Sequence, residues 1–87
     1  MHRREKSKIM KLTELKTNKS AVIDEIDGGE EIKHRLESLG IIKGKEIIKI
    51  SSHFWRGPIT IRFKSAKNKV AIGHGMAEKI KVKEVNG

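Results

Sequence analysis

The stretch GPITIRFKSAKNKVAIGHGMAEKIKVKEV, Gly57 to Val85, decides the fold. Ile59, Ile61 and Phe63 alternate with Thr60, Arg62 and Lys64, so a strand there has one apolar and one wet face. Val70 and Ile72 repeat the pattern, and so do Ile80 and Val82. The polar turn SAKN, between Phe63 and Lys69, suits a hairpin. Parallel strands need crossovers of about 10 to 12 residues or more, and these connections are shorter. The expectation is an antiparallel sheet.

Toward the amino terminus, EIIKIS (Glu46 to Ser51) and AVIDEI (Ala21 to Ile26) read as two further strands. Val22 and Ile23 are adjacent and break strict alternation in the second of these, which invites a bulge. Ahead of it, Met10, Leu12 and Leu15 are apolar anchors, and Asn18 suits a left-handed turn residue. Between the two strands, Ile32, Leu36 and Leu39 are spaced i, i+4, i+7, which predicts an amphipathic helix from Glu30 to Leu39, closed by Gly40. About five short strands and one short helix, inserted after the first of them, predict a mainly β fold: a small, strongly curved sheet closed as a barrel.

The chain has 87 residues, enough for one domain with one modest core. It has no cysteine, which excludes disulfides, thiolate metal sites and a cysteine nucleophile. No apolar run reaches the roughly 20 residues of a membrane span, and the amino terminus lacks the apolar middle of a signal peptide, so a cytoplasmic protein is expected. A net charge of +9 favours an anionic neighbour. Residues 1–8, with Arg3, Arg4, Lys6 and Lys8, read as a basic, disordered leader that could be attracted to anionic lipid at the inner face of the membrane. Residues 9–87 form the domain.

Each candidate motif has a plainer alternative. Gly28-Gly29 ahead of a helix resembles a phosphate cradle, but Glu30 and Glu31 occupy the first turn and would repel an anion, so the pair reads as architecture. GHGM, from Gly73, imitates the start of a dinucleotide fingerprint, yet the next strand begins by Ile80 and leaves no room for a crossover helix of useful length. The glycines read as bends, with His74 exposed. Glu30, His34 and Glu37 share a helix face and could converge on a divalent metal, with His53 a further unpaired candidate, although an exposed polar stripe is what any surface helix shows. No metal site is assigned. Phe54 and Trp55 point to opposite faces, so one of them could anchor a partner. Neither a Gly-x-Ser-x-Gly elbow nor a His-Glu-x-x-His pair is present, and no catalytic residue is expected. Aromatic residues at 3% make a poor platform for single-stranded nucleic acid.

MKLTEL (Met10 to Leu15), IDGG (Ile26 to Gly29), RLESLG (Arg35 to Gly40) with a following KG, GPI (Gly57 to Ile59) and AEKIKV (Ala77 to Val82) together resemble the FeoA family of bacterial ferrous iron transport. The resemblance covers nearly everything after the leader. It implies a barrel of the Src-homology-3 type, a cytosolic adaptor of the FeoB membrane iron transporter with its GTP-binding domain, and an association with transition metal ions such as Fe2+ or Zn2+. No cofactor is required by it. Similar domains close metal-dependent repressors, but no winged-helix portion is present here. Asn18 stands where the family usually has glycine, and His53 to Arg56 are bulkier than the family's loop.

The expected partner surface combines Leu39, Ile41 and Ile42 with Phe54 and Trp55, since apolar groups exposed near one edge commonly mark interfaces. Two rival readings are a basic nucleic-acid-binding barrel and a stand-alone metal-binding module related to the repressor domain.

Overall fold

In the computed structural model, which describes residues 8–52 and 57–85, the alternation of the carboxyl-terminal half becomes an antiparallel ladder. Strand β4 (Ile59–Phe63) buries Ile59, Ile61 and Phe63 and leaves Thr60 and Arg62 partly exposed. It pairs on one side with β3 (Glu46–Ser52) and on the other with β5 (Lys69–Ile72). The remaining strands are β1 (Ile9–Lys11), β2 (Ser20–Ile26) and β6 (Ile80–Glu84). All six form one antiparallel sheet in the order β1-β6-β2-β3-β4-β5.

Fifteen buried apolar residues from five of the strands, the helices and the turns between them form one cluster, against which Met10 of β1 packs. A sheet whose inner face meets itself in a single core must curl, giving a small barrel of the Src-homology-3 type. β1 and β5 are the two ends of the strand order, so the barrel is not closed by a ladder between them. No helix among the described residues is long and apolar enough to cross a membrane.

Strand number differs from the sequence expectation. Ile9–Lys11 is a sixth strand, held by β6 through Ile9–Lys83, Met10–Val82 and Lys11–Lys81 pairs, and the helix therefore follows the second strand. Three residues are too few to show a period, and pairing to a distant segment made them a strand. A 3₁₀ turn, Leu12–Glu14, follows directly, with the Lys11 amide donating to the Glu14 carboxylate at 3.0 Å.

The bulge invited by Val22-Ile23 lies one step later, between Ile23 and Glu25. Its effect is on the faces: Ala21 and Ile23 point inward, the extra residue shifts the phase, and Ile26 also points inward. A second register shift, between Lys49 and Ser51, bends β3. Asn18 has φ 70°, as its side chain permits.

Helix α1 spans Glu30–Glu37, two residues shorter than the periodicity predicts. Its exit explains the difference. Gly40 has φ +90°, its amide donates to the Glu37 carbonyl at 2.9 Å, and the Ile41 amide reaches back to the Leu36 carbonyl at 3.0 Å. This is a Schellman closure, and the two residues that its longer bond joins, Leu36 and Ile41, are both fully buried in the core. Ile41 thus takes the inward position that spacing assigned to Leu39.

The GHGM segment is likewise corrected. His74–Ala77 form a four-residue helix, α2, with Ala77 buried and Met76 against the core. Neither Gly73 nor Gly75 has a positive φ, so the segment turns through helical geometry. His74 is only partly exposed and lies 3.3 Å from the Glu78 carboxylate.

Candidate partner surface

Two large apolar side chains stay in water at the exit of α1. Leu39 is 44% exposed and Ile42 is 40% exposed, on either side of the Gly40-Ile41 pair that dives into the core. The closure forces this arrangement: turning inward at Ile41 leaves its neighbours facing outward. Of the five residues expected in a partner surface, Leu39 and Ile42 are exposed. Ile41 is withdrawn, because it is fully buried and holds the helix end. Phe54 and Trp55 lie outside the described residues, as do His53 and Arg56.

A second exposed apolar pair, Ile9 and Val85, is on the outer face of the β1–β6 edge. Beside it is a cavity of about 200 Å³ lined by Ile9, Met10, Lys11, Glu14 and Lys81. A larger one, about 390 Å³, lies beside α1 and mixes Glu25 and Glu37 with Lys33 and Lys43 around Ile26. Its opposite charges offset one another, so it has no bias toward an anion or a cation.

The helix stripe does not assemble as a metal centre. Glu30 and His34 meet at 3.8 Å on an exposed face, and no group of three or more His, Asp or Glu side chains converges among the described residues. Gly28 has φ +112°, and a Cβ there would stand 3.2 Å from Ile32 Cδ1 and Lys79 Cδ. The Gly-Gly turn is thus set by close packing of the chain on the helix.

The most unusual group is Lys49, unremarked in the sequence. It stands on the inner face of β3, only 3% exposed, opposite the buried Ile61. Its ammonium donates to three backbone carbonyls of the β1–β2 connection: Leu12 at 3.3 Å, Thr13 at 3.2 Å and Leu15 at 2.6 Å. Three donors meet three acceptors, so the head is satisfied although it is out of water. Burial nonetheless pushes its pKa below the ordinary 10.5. The one signal available was phase: Ile47 points inward, and two residues along the strand that position falls on Lys49.

The outer face is polar and partly ion-paired. Lys81 meets Asp27 at 3.2 Å, Lys83 meets Asp24 at 3.7 Å and Lys64 meets Glu46 at 3.6 Å. Such exposed pairs contribute little stability but fix where positive charge remains uncompensated.

Among solved structures, the chain is similar to an iron uptake regulatory protein, FeoA, at 28% identity, with a TM-score of 0.81, covering 90% of this chain and all of that one. A FeoA-like protein from Clostridium acetobutylicum matches at 18% identity and a TM-score of 0.79, over 94% and 93% of the two chains. A manganese-dependent transcriptional repressor matches in fold, with a TM-score of 0.80 at 17% identity, covering 93% of this chain but 44% of the repressor. No curated protein matches the sequence. The FeoA domain family matches residues 10–84, which take in the barrel from β1 to the end of β6. With that match spanning most of its length, the chain belongs to the FeoA domain family, a family associated with ferrous iron transport.

Proposed function

We propose that this domain is an adaptor of ferrous iron transport, docking on the cytosolic GTP-binding portion of a FeoB-type membrane transporter and adjusting its activity. Family membership supports the transport role. The observation that carries the docking surface is the exposed pair Leu39 and Ile42, two large apolar side chains held in water by a rigid helix closure. A pre-organised apolar pair loses little entropy when a partner covers it.

The test is binding of the full chain to the purified cytosolic portion of the transporter by calorimetry, alongside iron uptake in cells. Leu39→Asp with Ile42→Asp should weaken binding at least tenfold, about 1.4 kcal/mol, and reduce uptake, with an unchanged melting temperature. If both binding and uptake stay at parental values, this surface is wrong. If the parent itself fails to bind, the partner is wrong.

A further inference from the structure

Charge is divided along the chain. Residues 24–37 carry Asp24, Glu25, Asp27, Glu30, Glu31 and Glu37, whereas no acidic residue occurs between Glu46 and Glu78. Folding turns this division into geometry, because the acid-poor segment contains β4, β5 and the turn joining them, at one end of the strand order. On the outer face of that hairpin Arg62 stands directly opposite Lys69. Like charges in register oppose each other and destabilise a sheet. Lys64 and the exposed Lys67 add to the same end. Glu46 is within pairing distance of Lys64, and among the described residues no carboxylate pairs with Arg62, Lys67 or Lys69. Arg62 instead donates to the Ala66 carbonyl at 3.5 Å, which holds its guanidinium over the turn.

The rest of the hairpin's outer face is small or polar, with Thr60 beside Ala71. Its one aromatic, Phe63, is buried in the core, so the described residues of the hairpin offer no stacking platform for nucleic-acid bases. None of the exposed large apolar residues lies on this hairpin, which therefore lacks the anchor that a specific protein interface is built around. Positive charge with neither a platform nor an anchor among the described residues of the hairpin fits a diffuse anionic surface.

We propose that the β4–β5 hairpin, through Arg62, Lys67 and Lys69, is a contact for an anionic phospholipid bilayer, held electrostatically and without insertion. The acid-rich α1 side then carries no such attraction, so the domain has a preferred orientation at the lipid surface. The inference is independent of the transporter reading, since vesicles contain no protein.

The experiment is co-sedimentation of the full chain with phosphatidylcholine vesicles, with and without phosphatidylglycerol. Binding is expected only with phosphatidylglycerol present, and it should be released by salt. A lysine near such a surface changes the partition about fivefold, so Lys67→Gln with Lys69→Gln should lower it about thirtyfold. Lys67→Arg with Lys69→Arg should retain it. Lys33→Gln with Lys43→Gln removes the same charge beside Glu25 and Glu37 and should change it less than about threefold. An equal loss in the two Gln pairs would mean that net charge alone acts, and would overturn the proposal. A larger loss from Arg3→Gln with Arg4→Gln would move the contact to the leader, with the same consequence. So would tighter binding to a duplex oligonucleotide than to the vesicles at equal salt, which would assign the hairpin to nucleic acid.

Discussion

The Lys49 ammonium donates to the carbonyl oxygen of Leu15 at 2.6 Å, joining residues 34 positions apart in the sequence. The bond ties the β1–β2 connection to the middle strands, and the two further carbonyls on the same ammonium make the tie a three-point one. Neighbouring backbone bonds reinforce it: the Asn18 amide donates to the Lys49 carbonyl at 2.7 Å, and the Lys49 amide donates to Lys19 at 3.1 Å.

Lys49→Met keeps the apolar stem and removes the donor. The buried Leu12 and Leu15 carbonyls then lose their side-chain partner, an expected loss of about 2 kcal/mol or more, or a melting temperature lower by roughly 10 °C. Urea unfolding of the two proteins measures it. Equal midpoints would show that the three bonds only offset the desolvation of the ammonium.

The same lysine gives a pH signature. Its folded pKa is lowered by burial, so between that value and the ordinary 10.5 the unfolded chain holds more protons than the folded one. Stability then rises with pH across that window. Relative to Lys49→Met, the parent should gain stability as pH rises toward 10.5, and below the lowered pKa the difference should be flat. Unfolding curves of both proteins across this range report the sign.

Gly40 and Gly44 share a left-handed backbone, with φ +90° and +94°, but differ in surroundings. A Cβ at Gly40 would stand 3.3 Å from Phe63 Cζ, whereas nothing lies within 4 Å of one at Gly44. Gly44→Ala should cost about 1 to 2 kcal/mol, the penalty for the left-handed conformation alone. Gly40→Ala should cost more, because Phe63 must also shift. Thermal melts of the two variants give the order, and equal costs would mean that Phe63 yields freely.

Leu36 and Leu39 have identical side chains and opposite surroundings. Leu36→Ala should lose about 2 to 5 kcal/mol through the cavity it leaves. Leu39→Ala should stay within about 0.5 kcal/mol, as exposed substitutions do. Denaturant midpoints separate them. A large cost at Leu39 would place it in the core after all.

Elements with a clean local period were legible in the sequence. Ile59, Ile61 and Phe63 show inside and outside at every step, and the strand is found where the alternation places it. The antiparallel barrel follows from several such strands and short connections. What the sequence could not show was set at long range. Ile9–Lys11 becomes a strand only because β6 pairs with it, and the bulge in β2, invited by Val22-Ile23, falls one step later than that pair, where its register shift moves Ile26 inward. Leu39 and Ile41 exchange roles because the helix closes two residues early, a choice made by the Schellman bonds and not by spacing. Lys49 was hidden by its charge, which argues for the surface until three carbonyls are brought to it. At the helix exit the exposure of Leu39 and Ile42 was legible, and the inward turn of Ile41 was not.

The position of β6 between β1 and β2 also bears on how the protein is made. β1 and β2 are synthesised first but share no ladder with each other; each pairs with β6, which is made last of the six. In a growing polypeptide β2 can pair with β3 as soon as both are made, but β1 has no ladder partner until the final strand has left the ribosome and slots between β1 and β2. The sheet is completed only at that late moment. Translation halted before Ile80 would yield a product whose β1 has no partner and whose β2 has one bare edge, both open to proteases.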